Sequence, residues 1–161
     1  VEEHRFLGHR DGEVADVADD VGVAQLAEII AELGPDTVVT FGPDGMTGHS
    51  DHVTVGRWAT TAARTAVKPP RVLHAATDST VMEAVDHHFD KFPVYGDDGP
   101  PMVDRNAAAL ILDLPDPTLE QKVASLAAQA SQTEPLIAHM GEDDYRSWIS
   151  VEVFVEAGQQ G

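Results

Sequence analysis

Hydrophobic positions in the first half of the chain alternate between two spacings. In Val23–Leu33 (VAQLAEIIAEL) they recur every three to four residues, as on one face of a helix. Thr37–Phe41 (TVVTF) is instead a short apolar run rich in β-branched residues, which is typical of a buried parallel strand, and Arg71–Ala75 (RVLHA) is predicted to be another short strand. Between these two runs the helical spacing returns over residues 52–67. The pattern therefore predicts the order helix, strand, helix, strand.

The second half of the chain continues this alternation. It predicts helices over residues 79–89, 118–132 and 143–149, strands over residues 109–114 and 151–157, and a loop over residues 93–105. Thr118 and Gln121 have the spacing of a capping box at the start of the long helix. Strands that alternate with helices of this length indicate an α/β domain with a mainly parallel sheet. With 161 residues, the chain is expected to form a single domain, residues 1–161.

Charge and composition argue against several classes of binding partner and metal ligand. The chain has 10 basic and 28 acidic residues, a net charge of −18, which argues against binding to nucleic acid or to anionic membrane surfaces. No apolar run approaches the roughly 18 residues that a membrane-spanning helix requires. Because cysteine is absent, any bound metal ion must be held by His, Asp or Glu.

The loop Phe41–His52 (FGPDGMTGHSDH) follows the first predicted strand and leads into a helix. Ligands of open α/β sheets bind beyond the carboxyl ends of the strands, so this loop lies where a site is expected. His49 and His52 are three residues apart and can face the same side of a first helical turn. One ring could then bind a metal ion while the other meets a substrate. The alternative is that Ser50 or Asp51 caps the helix and both histidines are simply exposed.

Three segments resemble signatures of the LmbE-like/PIG-L family of zinc-dependent N-deacetylases. FGPDGMTGHSDH is similar to the family's T-F-G-P-D-G-x-x-G-H-P-D-H, and this long match is the most specific. LGHRDGEV and KVASLAAQASQ are similar to a sugar-contacting loop and a late helix of the family. The nearest resemblance is to actinobacterial enzymes of mycothiol biosynthesis. The resemblance implies a Rossmann-like three-layer sandwich with a mainly parallel sheet.

The same resemblance implies a reaction and a role for each matching residue. The reaction is hydrolysis of the N-acetyl group of an N-acetylglucosaminyl substrate, in which a zinc ion polarises the carbonyl and supplies the attacking water. His52 corresponds to a zinc ligand. His49 corresponds to the residue that stabilises the oxyanion or protonates the leaving amine, with Asp51 as its partner. Arg10 and Asp11 correspond to a loop that contacts sugar hydroxyls; the alternative for these two is a turn with a local ion pair.

The chain also departs from the family pattern. The family's first signature, H-P-D-D-E, supplies two zinc ligands and the general base, and no such segment occurs here. Thr47 stands where some relatives carry a tyrosine, and Gln129 stands in place of a late histidine. We therefore expect that an N-terminal strand-helix unit is missing. On this view the chain alone binds zinc weakly or not at all and lacks activity, since a catalytic zinc takes three protein ligands.

Two further expectations follow from the family resemblance. The alternative function is a non-catalytic sugar-binding or partner-binding domain of the same fold. For either function we expect a cytoplasmic protein. Without a first strand, the sheet should expose unpaired edges. We therefore expect either poor solubility or a partner that covers them, for example a second copy of the chain in a homo-oligomer.

Other polar clusters suggest no site by themselves. His87 and His88 fall on a predicted helix, where adjacent side chains point about 100° apart, so they are expected to be solvated or partly buried. The paired aspartates in Gly141–Tyr145 (GEDDY) are expected to cap a helix.

Overall fold

The computed structural model describes residues 3–90, 92, 94–96 and 99–158, and they form a mixed α/β fold. The helices are α1 (Asp19–Leu33), α2 (Ser50–Thr65), α3 (Ser79–Val85), α4 (Asp116–Ala127), α5 (Ala130–Met140) and α6 (Glu142–Ile149). The strands are β1 (Thr37–Thr40), β2 (Arg71–Asp78), β3 (Met102–Val103), β4 (Leu110–Asp113) and β5 (Val151–Glu156). This confirms the predicted α/β class and is compatible with a Rossmann-like fold.

The strands hydrogen-bond in the order β1-β2-β5-β4, and β3 pairs with the end of β2. β1 runs parallel to β2 with Thr37 opposite Arg71, β3 is also parallel to β2, and β4 is antiparallel to β5. Val39 of β1 is 55% exposed, as expected of a strand at the end of this order. Because β1 and β2 are parallel, the loop after β1 leaves from the edge where both strands have their carboxyl ends.

The chain packs as two compact units, residues 1–75 with 156–161 and residues 76–155. The single domain of residues 1–161 therefore stays a prediction. In the first unit, α1 packs against α2 around the fully buried Trp58, whose indole N–H donates to Asp19 at 2.7 Å. A Cβ on Gly22 would lie 2.1 Å from the Trp58 ring, so this position of α1 admits only glycine. This close helix pair is the support on which the loop after β1 rests.

The second unit is built around helices α3 to α6. Its main core consists of buried side chains from all four helices: Met82, Val85, Leu119, Leu136, Met140, Tyr145 and Ile149. A smaller cluster of Ala76, Val153 and Val155 lies on the strands. Asp78 is the N-cap of α3, and its carboxylate accepts a hydrogen bond from the backbone N–H of Thr80. The same carboxylate pairs with Arg105 at 2.6 Å.

The helix predicted over residues 118–132 is two helices in the structure. α4 ends at Ala127, and α5 continues to Met140, past the end of the prediction. The hydroxyl of Thr133 donates to the carbonyl of Leu126 at 2.7 Å, a bond that ties the end of α4 to the first turns of α5. The predicted capping box of Thr118 is wrong as well, because α4 begins at Asp116 with Pro115 at its N-cap.

Two other boundaries differ from the predictions. The predicted loop over residues 93–105 contains β3; its residues 93, 97 and 98 lie outside the described part of the chain. The helix predicted over residues 79–89 stops at Val85 and gives way to a 3₁₀ turn, Asp86–His88. Within the described residues, no helix is both long enough and apolar enough to cross a membrane.

Candidate active site

The segment Phe41–His52 after β1, called the wound loop below, has a tightly wound backbone that packs onto α2. The N–H of Gly45 donates to the carbonyl of Gly42 at 3.0 Å, and that of Gly48 donates to Asp44 at the same distance. Gly45 has a φ of +68°, and a Cβ there would lie 2.8 Å from the side chain of Val53. The next residue, Met46, has a φ of +66°, which is unfavourable for any residue with a side chain. The loop is therefore held in a strained conformation by its contact with α2.

His52 is oriented by this wound backbone. Its Nδ1 lies 3.0 Å from the carbonyl oxygen of Gly45 and 3.2 Å from the hydroxyl of Thr47. Its ring stacks on Phe41, with ring centres 4.3 Å apart and planes at 2°. Because a carbonyl can only accept, Nδ1 carries the proton, and in the neutral ring the lone pair lies on Nε2. A backbone carbonyl on one ring nitrogen is the usual support for a histidine that binds metal through the other.

His49 has the opposite ring arrangement. It is the N-cap of α2, and its Nδ1 accepts the backbone N–H of Asp51 at 3.2 Å. The alternative in which Ser50 or Asp51 caps the helix is therefore wrong. With Nδ1 as acceptor, the proton of the neutral ring lies on Nε2, so the exposed ring offers a hydrogen-bond donor. The ring centres of His49 and His52 are 5.2 Å apart, so the loop brings one donor and one lone pair together.

The Asp51 carboxylate is directed to the neighbouring loop. It is 6% exposed and accepts the backbone N–H groups of Gly12 at 2.7 Å and Val14 at 3.2 Å. Its contact with His49 is made through the backbone N–H. The predicted role of Asp51 as a catalytic partner of His49 stays a prediction; its structural role is to hold residues 10–14 against the start of α2.

Arg10 and Asp11 lie on the loop that Asp51 holds. Both are exposed, and Arg10 pairs with Glu13 at 3.1 Å, which is the local ion pair of the alternative interpretation. An ion pair this exposed contributes little to stability, so Arg10 can exchange it for a ligand at small cost. Contact of these two residues with sugar hydroxyls stays a prediction.

A pocket of about 420 Å³ lies beside the loop and involves residues that the sequence patterns did not single out. Its walls include Phe41, Arg64 and the buried His74, whose Nε2 lies 3.0 Å from the Thr60 hydroxyl. The available signal was a histidine within the otherwise apolar run RVLHA. That signal says nothing about Thr60, because only the pairing of β2 with its neighbours and the packing of α2 bring the two together.

The described residues fit one ligand of a zinc site in this loop and not a complete set. His52 has the ring orientation and tautomer of a ligand. Within the described ranges, three His, Asp or Glu ligand atoms lie close together in residues 76–155, and no such group lies around His52. A catalytic zinc takes three protein ligands. His52 can therefore contribute to such a site without completing it.

Comparison with known proteins identifies the first part of the chain. The sequence profile of GlcNAc-PI de-N-acetylase, PIG-L, matches residues 1–63, a stretch that contains both the wound loop and the loop of Arg10. Residues 1–63 are thus similar to the PIG-L family. This confirms the resemblance found in the FGPDGMTGHSDH and LGHRDGEV segments.

Curated relatives extend the similarity beyond this PIG-L segment. The chain is 42% identical over 64 residues to a 1D-myo-inositol 2-acetamido-2-deoxy-alpha-D-glucopyranoside deacetylase of Corynebacterium diphtheriae, covering 40% of this chain and 22% of that protein. A protein of the same name from Salinispora arenicola is 27% identical over 92% of this chain and 54% of its own length. A third, from Corynebacterium efficiens, is 36% identical over 70% of this chain and 37% of its own length. The chain thus spans about half or less of the length of these relatives.

Proposed function

We propose that this chain forms part of a zinc-dependent hydrolase that removes the acetyl group from an N-acetylglucosaminyl substrate, acting in the cytoplasm. The observation that carries the proposal is the complementary pair of rings on one loop. His52 has its lone pair on Nε2, and His49 has its proton on Nε2. Support also comes from the similar proteins of Corynebacterium diphtheriae and Salinispora arenicola, whose names describe deacetylases of an acetamido sugar.

The role we assign to His52 is that of one zinc ligand. A bound zinc ion supplies Lewis-acid polarisation of the amide carbonyl and a water of lowered pKa. His52 is suited to hold it because Gly45 and Phe41 fix the ring in one orientation, so little rotational freedom is lost on binding. The described residues do not bring a complete set of three zinc ligands together at this loop.

His49 acts on the substrate through its Nε2–H. In the neutral ring this group donates a hydrogen bond to the oxygen that becomes negative when the amide carbon is attacked. When the ring is protonated, the same Nε2–H can be transferred to the departing amine nitrogen. The backbone N–H of Asp51 holds the ring orientation only in the neutral form, in which Nδ1 is unprotonated, so proton transfer and helix capping are linked.

Arg10 and Asp11 provide the sugar contacts in this proposal. Their loop is held next to the start of α2 by the two backbone bonds to Asp51. Neutral hydroxyls of an amino sugar suit such groups, since a guanidinium donates and a carboxylate accepts hydrogen bonds. The proposed partner is thus a small amino-sugar substrate.

The proposal is tested by measuring acetate release from N-acetylglucosaminyl-inositol in the presence of zinc. Two proteins are compared, the 161-residue chain and the complete product of its reading frame. We expect zinc-dependent turnover by the complete protein and none by the 161-residue chain. In the complete protein, His52→Ala and His49→Ala should each lower kcat/KM by about 100-fold or more.

A matched control is His4→Ala, which changes an exposed histidine that packs on Phe6, and it should leave kcat/KM unchanged. Zinc-dependent turnover by the 161-residue chain alone would contradict the assignment of a partial site. Saturable sugar binding without turnover by the complete protein would favour the alternative, a sugar-binding domain of the same fold.

A further inference from the structure

We propose that His87, His88 and Asp144 form a binding site for a divalent transition-metal ion of the zinc type, independent of the loop that carries His52. One nitrogen of each histidine and one oxygen of the aspartate all lie within 4.8 Å of one another. Within the described ranges this is the one place where three such atoms converge. All three residues belong to the unit formed by residues 76–155.

The distances suit a small ion after modest side-chain rotation. The Nε2 of His88 lies 2.9 Å from Oδ2 of Asp144. Two ligands at zinc's usual bond length of about 2.1 Å, arranged tetrahedrally, lie about 3.4 Å apart. An ion can therefore replace the hydrogen between these two atoms with a shift of a few tenths of an ångström. The His87 ring is adjacent, with its centre 4.0 Å from that of His88.

The rings of His87 and His88 lie close together although the two residues are adjacent in sequence. In a regular helix their side chains would point about 100° apart, which argued against a shared ion. The helix ends at Val85, and His87 and His88 lie on a 3₁₀ turn, which does not itself bring adjacent side chains closer. His87 is exposed and His88 is half-buried, as predicted, but their ring centres lie 4.0 Å apart, so the two rings can reach one ion.

Each element that carries a ligand is anchored next to that ligand. Val85, two residues before His87, is 1% exposed, and Tyr145, directly after Asp144, is 2% exposed. Both belong to the same hydrophobic core, so packing holds the 3₁₀ turn and the start of α6 together. The ligands are thus positioned before an ion binds, which lowers the entropic cost of assembling the site.

His139 supports the turn from the side of α5. Its Nε2–H donates to the carbonyl of His88 at 3.1 Å, and its ring meets the His88 ring edge-on at 5.5 Å. The same carbonyl accepts the backbone N–H of Phe92 at 3.3 Å. His88 is accordingly the best-fixed member of the set, and its side chain is only 12% exposed.

The ligand set defines the class of metal. Two imidazole nitrogens and one carboxylate oxygen suit Zn²⁺, Co²⁺, Ni²⁺ or Cu²⁺, whereas Mg²⁺ and Ca²⁺ prefer oxygen ligands. His87 and Asp144 are exposed, so solvent can complete the coordination. The chain's net charge of −18 raises the local concentration of cations.

The test is a Co²⁺ titration of the 161-residue chain followed by visible absorption, with Zn²⁺ binding measured by calorimetry. We expect one bound ion and an affinity that falls about 100-fold in His88→Gln and at least tenfold in Asp144→Asn. Asp143→Asn is the matched control, because it changes the neighbouring acidic residue of α6, and it should bind as the unchanged chain does. The His49→Gln, His52→Gln double variant should also keep the affinity, which separates this site from the wound loop.

Two results would overturn the proposal: an affinity unchanged in His88→Gln, or an affinity lost in the double variant of the wound loop. Thermal unfolding without metal checks that each variant is folded. Where His88→Gln unfolds, Asp144→Asn decides, together with the Zn²⁺-induced NMR shifts of the ring protons. Shifts confined to His87 and His88 support the site, and shifts confined to His49 and His52 contradict it. Failure of the deacetylase assay would leave this outcome unaffected, since metal binding at His87, His88 and Asp144 is measured without turnover.

Discussion

The wound loop after β1 and the cluster of His87, His88 and Asp144 both gather histidines, but they are assembled in different ways. In the loop, the rings of His49 and His52 are set by backbone groups within seven residues of themselves. In the cluster, Asp144 lies 56 residues from His88 along the chain. The loop is therefore a local construction, and the cluster exists only through tertiary packing.

The two regions also differ in what holds them. The loop depends on backbone conformation, with positive φ at Gly45 and Met46 and a close contact to α2. The cluster depends on a hydrophobic core beneath it, where Val85 and Tyr145 are almost fully buried. Each should fail under a different kind of substitution, and this expectation can be tested.

The largest effect is expected from Tyr145→Ala. Removing this buried ring should cost about 4 kcal/mol of unfolding free energy, as for other large-to-alanine changes in cores. It should also abolish Co²⁺ binding at the cluster while leaving the NMR signals of the His49 and His52 rings in place. Chemical denaturation and Co²⁺ titration measure both parts.

Tyr145→Phe is the conservative control, since it keeps the ring volume, and Co²⁺ affinity should stay within a few-fold. If Tyr145→Ala disturbed the signals of both regions equally, the separation between local and tertiary assembly would be wrong.

A smaller effect, about 2–4 kcal/mol, is expected from Gly45→Ala, because the new methyl group would meet Val53 at 2.8 Å in addition to the positive φ. The loop should shift and His52 should lose the carbonyl that selects its tautomer, which ¹⁵N chemical shifts of the ring report. Gly34→Ala is a matched control. Its φ is +55° and a Cβ there meets nothing within 4 Å, so it carries the backbone cost alone, about 1–2 kcal/mol.

Equal losses in the two glycine variants would show that the contact with α2 adds nothing. In that case the loop would be defined by its own backbone alone, and the comparison with the cluster would become sharper still.

The smallest effect, about 2 kcal/mol at neutral pH, is expected from Asp78→Asn at the start of α3, the helix that leads to His87. Burial raises the pKa of Asp78, but the hydrogen bonds from Arg105 and from the backbone of Thr80 and Val81 outweigh it, so the pKa lies below its usual value. Because the folded pKa is depressed, this stabilisation is present at neutral pH and is lost as the pH falls below about 4. Unfolding free energies of the two proteins should therefore differ at pH 7 and converge towards pH 3. A constant difference across this range would contradict the role of the Asp78 charge.

Much of the fold was predictable because hydrophobic spacing reports which face of an element is buried. The first helix and the first two strands were predicted close to their observed positions, and the α/β class is confirmed. The predictions failed where a side chain redirects the backbone. The division between α4 and α5 is an example, because it is stabilised by the Thr133 hydroxyl, and apolar spacing carries no information about that bond.

The candidate active site was partly predictable for the same reason. His49 and His52 are neighbours through helix geometry, which depends only on their separation in sequence. The Asp51 carboxylate shows the limit of that reasoning. It accepts N–H groups from Gly12 and Val14, about forty residues away, and no local pattern indicates this pairing.

The sequence by itself determined the chemistry of the wound loop: its glycines, its two histidines at a spacing of three, and the similarity of residues 1–63 to the PIG-L family. These are local properties, so they can be read in order along the chain. The folded backbone of the loop decided which nitrogen of each ring is available. Only the tertiary structure decided where the Asp51 carboxylate binds and that Asp144 meets His87 and His88. Those features arise from contacts between distant segments, whose positions follow from the packing of the cores and not from residue spacing.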